Sequence, residues 1–397
     1  MTAPARYLAV LLGLFGLVLA AILGLNLALG ERALGSVEIN ELASAWQQKT
    51  RGITYGPPTT NTRPFKILRL ADRLRDINGV VVGASSVMGV TDTMFPPPLR
   101  VYNMSVAGNS TAAAIAEAEY LEQHHSDRIR WMLIGLDWSV GMIFHPIRVM
   151  SVDLSPAAAL SRSALPAVPL HKKVEDALSL PRVSNLGRAL KSVAMAPDPL
   201  GSFRHTFFDI ASAEYRCADG ALARDYDVAN RGICAGFRYD GSWTFAGEKH
   251  LTPALAAMLA RGATAPSSKF SRFLCESAGL PRDEYLERLR ALIPRFEKKG
   301  GRLLFLMPPV VPGMEKEMLR RPETRACLER AKAVLGEWAR NNLVTIIDAG
   351  ASERFGCEVS EFLDENHAFP ECLTRVFSRY WRDSAAGRVG PGLYRPE

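Results

Sequence analysis

Hydrophobic positions fall into three regimes along the chain. The first is one apolar run, Tyr7 to Gly30, with no charged residue in 24 positions. The second is a set of short aliphatic runs separated by longer stretches of helical periodicity. The third, from Phe144 to Phe270, is rich in Pro, Ser and Gly and keeps no sustained period. Within the second regime, Gly79–Gly83 reads as a buried strand and Leu99–Met104 as another. The Ala-rich stretch Asn109–His124 reads as a helix capped at Asn109 or Ser110. Ile129–Leu136 is a third strand. After the irregular middle, Arg282–Lys299 is an amphipathic helix behind Pro281, and Arg302–Met307 is a strand stopped by Pro308-Pro309. Glu323–Asn341 is a helix, Val344–Asp348 a fifth strand, and Phe369–Asp383 a last helix.

Strands that are continuous apolar runs, alternating with helices, indicate a parallel sheet covered on both faces. The expected fold class is α/β: a three-layer sandwich around a five-stranded, mostly parallel sheet. It occupies residues 66–390 and carries a long insertion at about 144–270. That insertion includes a short helical stretch, Lys172–Leu180, and the segment Tyr239-Asp240-Gly241-Ser242-Trp243. Residues 31–65, ending in Tyr55-Gly56-Pro57-Pro58, read as a stalk or linker.

Residues 1–30 read as a signal anchor, because a membrane-spanning helix needs ~20 apolar residues and a cleavable signal only about 7–15. Arg6 and the α-amino group favour that end staying inside, which would export the rest. Ala28-Leu29-Gly30 also offers small residues for cleavage, so a cleavable signal is the alternative.

Composition narrows the classes. Charged residues make up 22% and hydrophobic residues 48%, enough for a substantial core and unlike a disordered chain. The net charge of +7 is scattered, with no dense basic stripe, so nucleic acid is not an expected partner. The bias is that of a generic solvated surface, and it also suits a protein facing anionic lipid or an anionic glycan. The six cysteines all follow the apolar run, as fits disulfides in an oxidising compartment. None is spaced Cys-x-x-Cys, so neither a zinc nor a redox motif is expected. Cys217 with Cys234 and Cys357 with Cys372 are the pairings of least contact order; buried reduced thiols are the alternative.

In a parallel sheet the working groups gather at the carboxyl ends of the strands. Those ends carry Gly83-Ala84-Ser85-Ser86, Val106-Ala107-Gly108-Asn109, Gly135-Leu136-Asp137-Trp138, Pro308-Pro309, and the loop Asp364-Glu365-Asn366-His367. A serine hydroxyl needs a base within hydrogen-bond reach, and the base an orienting carboxylate. His367, three residues after Asp364, suits that pair; alternatively Asp364 caps the helix that begins near Phe369. His250 after Glu248 is a lesser candidate base. Acyl transfer also needs oxyanion donors, for which the Ser85 and Gly108 N–H groups are candidates.

This set, Gly83-x-Ser85, Gly108, Gly135-Leu136-Asp137 and Asp364-x-x-His367, resembles the GDSL/SGNH hydrolase superfamily in order and spacing. With the N-terminal apolar run and the Pro-Pro after the fourth strand, it looks most like membrane-anchored bacterial members of the alginate O-acetylation and D-alanyl-lipoteichoic acid esterase type. The resemblance covers Gly79 to Asp137 and Arg302 to Asp383. It implies a flavodoxin-like fold, Ser85 as nucleophile, His367 as base, Asp364 as orienting acid and Gly108 as oxyanion donor. Asp137 stands where the superfamily usually has an oxyanion Asn. An ionised carboxylate cannot donate, though a protonated one could; otherwise Asp137 would position the loop or hold a substrate hydroxyl, and Asn103 or Asn109 would supply the missing donor. The implied activity is a serine esterase or O-acyltransferase on acyl, chiefly acetyl, esters of cell-envelope glycans. The implied setting is the periplasmic side of the inner membrane, with a membrane-bound acyltransferase as partner and no metal or other cofactor. A degenerate, glycan-binding relative, using Trp138, Tyr239 and Trp243 to stack on sugars, is the second reading.

Overall fold

The computed structural model describes residues 3–33, 37–54, 62–136, 151–160, 193–207, 216–218, 236–244, 251–275 and 283–396, with single positions between 174 and 191. The expected helix Lys172–Leu180 and pairing Cys217–Cys234 therefore lie outside the described residues. Near the N-terminus, α1 (Ala3–Ala33) contains an apolar segment, Pro4–Asn26, long and apolar enough to cross a membrane.

The strands, in chain order, are β1 (Ile53–Thr54), β2 (Gly79–Val82), β3 (Val101–Asn103), β4 (Trp131–Gly135), β5 (Arg216–Ala218), β6 (Gly236–Phe237), β7 (Trp243–Thr244), β8 (Arg302–Met307), β9 (Thr345–Asp348) and β10 (Gly392–Tyr394). The main sheet has six strands in the order β10-β9-β8-β4-β2-β3, every neighbouring pair parallel. From β2 the chain passes to β3 on one side and returns to β4 on the other. The direction of winding thus reverses between β2 and β4, and the carboxyl ends of these strands flank the crevice where open α/β sheets bind ligands.

Successive strand residues face opposite sides of a sheet. Val80, Val81 and Val82 are nevertheless all buried, as are Met132 to Ile134 and Leu304 to Met307, so both faces of the central strands are covered. The helix α4 (Thr111–His125) packs on β2, β4 and the helix Asp283–Lys298. Ser110 is its cap, its Oγ accepting from the Ala113 N–H at 3.1 Å. The helix Pro322–Asn341 packs on β9 and β10.

The sheet departs from expectation by one strand. The expected five become six because Gly392, Leu393 and Tyr394 pair with Thr345, Ile346 and Ile347, beyond the boundary at residue 390. Three residues in a Gly- and Pro-rich tail give no strand periodicity. They are held by neighbours: Tyr394 Oη donates to Asp383 at 2.7 Å, and Arg395 Nε to Asp348 at 2.6 Å.

The segment read as a linker is largely built into the body. α2 (Val37–Thr50) packs on α3 (Arg63–Arg73), with Ala43, Ser44 and Gln47 buried. Ala43, with Trp46 partly buried beside it, packs with Phe65, Met88 and Phe237. β1 follows α2 and joins a second, antiparallel sheet, β5-β1-β6-β7, with strands of the insertion.

The β6–β7 hairpin clamps the chain that follows β2. The Asn103 N–H donates to the Asp240 carbonyl at 2.8 Å and the Trp243 N–H to the Met88 carbonyl at 2.8 Å. The Asp92 N–H donates to Asp240 Oδ2 at 3.0 Å. Lys66, fully buried, donates from Nζ to the carbonyls of Asn103, at 2.7 Å, and Gly241. Its ammonium also lies 4.2 Å from the Phe237 ring centroid. Gly241 is required here: its φ is +82°, and an added Cβ would lie 2.4 Å from the Asn103 carbonyl oxygen. Gly241→Ala is therefore expected to cost about 2–3 kcal/mol, measured by denaturant unfolding.

Burial pushes the Lys66 ammonium down from 10.5 to about 7, against the opposing pull of Asp240 and Glu117. Between those values the unfolded chain holds a proton on Lys66 that the folded chain lacks. This group's contribution to stability thus rises as pH climbs from about 7 toward 10.5 and is flat below 7. Unfolding free energies across that range should show the rise in wild type and a shallower one in Lys66→Met.

Candidate active site

The turn after β2 exists because two glycines let strand ends approach. A Cβ on Gly83 would lie 2.6 Å from Val87 Cγ2 and 3.4 Å from the Gly135 Cα; one on Gly135 would lie 3.0 Å from both Val87 methyls. Ala84 is extended, and Ser85–Val87 then makes one 3₁₀ turn, folding Val87 back over both glycines. This turn separates the serines: Ser86 is 2% exposed, whereas Ser85 is half-buried and accessible.

Ser85 Oγ lies 2.8 Å from His367 Nε2, across 282 residues of sequence. The other ring nitrogen, Nδ1, lies 2.8 Å from Asp364 Oδ1 and 2.7 Å from Oδ2. With Asp364 ionised, Nδ1 carries the hydrogen and donates to the carboxylate, leaving Nε2 to accept from the serine hydroxyl. Asp364 Oδ1 also accepts from the backbone N–H groups of Asn366, at 3.0 Å, and His367, at 2.9 Å. Burial alone would raise the Asp364 carboxyl. The hydrogen bond and attraction to His367, with the two backbone donors, outweigh it and hold the group below the ordinary carboxylate value. Asp364 is not a helix cap: the helix Pro370–Ala385 is preceded by Phe369, without a side-chain cap.

Local structure fixes this loop. The Leu363 N–H donates to the His367 carbonyl at 2.9 Å and the Phe369 N–H to the Glu361 carbonyl at 2.7 Å, closing a narrow bend. The Val311 N–H donates to the Glu365 carbonyl at 2.9 Å, docking the bend on the chain after β8. A disulfide, Cys357–Cys372, closes the segment at its base, and a second joins Cys275 to Cys327. The first is one of the two pairings expected from spacing.

The loop after β3 brings Gly108 and Asn109 to the same edge. Gly108 has φ +71° with open space around it, so the conformation alone calls for glycine. Asn109 is buried, and its amide hydrogens go to the Gly83 carbonyl at 3.1 Å and Glu117 Oε2 at 3.2 Å. It supports the turn rather than offering a free donor. The Asn103 expectation is corrected for the same reason. Its NH₂ lies 2.9 Å from the Val87 and Val90 carbonyls, while its Oδ1 accepts from the Ser105 N–H at 2.9 Å. Asp137 and Trp138 lie outside the described residues. Trp243 packs edge-on against Phe237, with centroids 4.7 Å apart, and the Tyr239 ring lies under the guanidiniums of Arg51, Arg69 and Arg73, which accounts for both without a sugar.

Sequence reasoning missed Glu117, Arg63 and Lys66. No local signal marked Glu117: its helix also carries Glu119, Glu122, Gln123 and His124, among which it reads as one more surface acid. No protein-family model matches this chain, and no curated protein does.

The disulfide is expected to matter locally. Closing a loop of about 15 residues stabilises by about 3 kcal/mol. Cys357→Ala/Cys372→Ala should therefore lower the melting temperature and speed proteolytic cleavage between 357 and 372, mapped by mass spectrometry.

Proposed function

We propose that this chain is a membrane-anchored serine esterase or O-acyltransferase of SGNH type, with its catalytic body on the exported side. The observation that carries the reading is the unbroken hydrogen-bonded series Ser85, His367, Asp364 at the carboxyl edge of the parallel sheet. In this reading Ser85 Oγ attacks the acyl carbonyl as its proton passes to His367 Nε2. The tetrahedral oxyanion is met by backbone N–H groups of Ser85 and Gly108. Its collapse breaks the ester bond, and the leaving alkoxide takes the proton from Nε2. Water or a sugar hydroxyl then gives its proton to Nε2 and attacks the acyl-serine; the bond from the acyl carbon to Ser85 Oγ breaks, Oγ takes that proton back from Nε2, and acid or a new ester leaves with Ser85 restored. Asp364 keeps the imidazole in the required tautomer throughout.

The proposed substrates are acyl, chiefly acetyl, esters of cell-envelope glycans, and the proposed partner is a membrane-bound acyltransferase. Both follow from the family resemblance. α1 supplies the anchor, and the disulfides accord with an oxidising exterior. One observation favours the second reading, a glycan-binding protein on a degenerate scaffold: the amides of Asn103 and Asn109 are both spent on other acceptors.

Full-length protein in detergent micelles should hydrolyse p-nitrophenyl acetate and be labelled by a fluorophosphonate. Ser85→Ala should abolish both, and Asp364→Asn should lower kcat by roughly 10³- to 10⁴-fold. Ser86→Ala should retain activity. Wild type turning over no faster than Ser85→Ala, with no label taken up, would leave the glycan-binding reading in its place.

A further inference from the structure

We infer that Asn109 is a positioning residue for Ser85, held in one orientation by Glu117 and Arg63; this rests on the reading of Ser85 as nucleophile. The three side chains form a closed ring. Asn109 Nδ2 donates to Glu117 Oε2 at 3.2 Å, Asn109 Oδ1 accepts from Arg63 Nη2 at 2.8 Å, and Arg63 Nη1 donates to Glu117 Oε1 at 2.5 Å. The second hydrogen on Asn109 Nδ2 leaves the ring and meets the Gly83 carbonyl at 3.1 Å.

The ring permits one amide orientation only. Turned over, Asn109 would aim its oxygen at the Glu117 carboxylate and the Gly83 carbonyl, and its NH₂ at the Arg63 guanidinium. Gly83 stands two residues before Ser85, and Asn109 follows Gly108. One side chain therefore ties the turn carrying the nucleophile to the turn carrying the second oxyanion donor. The Val106 N–H also donates to the Gly83 carbonyl, at 3.3 Å, so the two loops are joined by a backbone bond and by this amide.

Packing alone does not account for Glu117. It is fully buried on α4, where an apolar residue would avoid the cost of desolvating a carboxylate. Burial raises its carboxyl to about 7, against Arg63, the Asn109 hydrogen bond and Lys66, which favour the ionised form. A costly group aimed at Asn109, and through it at the Gly83 carbonyl, fits an orienting task. Misplacement of a nucleophile by about 1 Å can cost on the order of 100-fold in rate.

The test uses full-length protein in detergent micelles, read by fluorophosphonate labelling rate and by kcat and KM for p-nitrophenyl acetate. Asn109→Ala should lower kcat and labelling rate about 10- to 100-fold while KM stays within about 3-fold, because the nucleophile and not the acyl pocket is displaced. Glu117→Gln keeps an acceptor oxygen for Asn109 and should lose only a few-fold. Glu117→Leu should approach Asn109→Ala, and the double variant Asn109→Ala/Glu117→Leu should be no slower than Asn109→Ala alone. Wild-type kcat and labelling rate in Asn109→Ala, or losses that multiply in the double variant, would overturn the inference. If Asn109→Ala and Glu117→Leu do not fold, Asn109→Ser decides, since it removes the donor to the Gly83 carbonyl with a small polar side chain: a fall in kcat at constant KM supports the role, and an unchanged kcat refutes it. Absence of labelling in wild type would instead refute the nucleophile itself, and this inference with it.

Discussion

A Cβ on Gly83 would collide with Val87, and one on Gly135 would meet the same side chain from the neighbouring strand. Two adjacent parallel strands thus end in residues without side chains, and one valine fills the space above both. That close fit decides where Ser85 stands. It brings the serine turn down over the carboxyl ends of β2 and β4, where the winding of the sheet reverses. The turn is then reachable from the loop after β3 through Asn109, and from the far side through His367. Interiors packed at crystal density leave little slack for such a junction, so a shift at either glycine would be transmitted to all three loops.

Around this junction the interior is unusually polar. Lys66, Arg69, Gln47, Asn103, Asn109 and Glu117 are all buried. Each unpaired group of this kind would cost about 1–3 kcal/mol or more if charged, so their partners matter more than their number. The partners come from distant parts of the chain. Gln47 donates to the Phe237 carbonyl at 2.8 Å, Lys66 to Gly241, and Arg63 to Glu117. The helix before β1 and the hairpin of the insertion are thereby drawn onto the body that carries Ser85. The segment from Ser85 to Asp92 is bounded by Asn103 on one side and Trp243 and Asp240 on another.

The central strands were legible in the sequence because burial on both faces writes itself as consecutive apolar residues, as in Val80-Val81-Val82 and Leu303–Met307. The spacing of Asp364 and His367 was legible because both lie in one tight bend. Other features depend on contacts that leave no local period. β10 is three residues held by an edge strand, Asp383 and Asp348. α2 docks through Ala43, Ser44 and Gln47, partners of residues as distant as Phe237, which a segment ending in Tyr55-Gly56-Pro57-Pro58 does not announce. The task of Asn109 was hidden because its partners, Arg63 and Glu117, lie 46 and 8 residues away. An asparagine beside a loop glycine reads equally as a cap, a donor to substrate or a brace.

The bond between Cys357 and Cys372 encloses both Asp364 and His367, while Ser85 lies far outside it. Two of the three aligned groups thus sit on a tether that a reducing cytoplasm does not sustain, and the third in the turn after β2, outside both described disulfide loops. Reducing that bond would loosen the base of the loop while leaving its backbone bonds, Val311 to Glu365 and Phe369 to Glu361, to hold the imidazole opposite the serine.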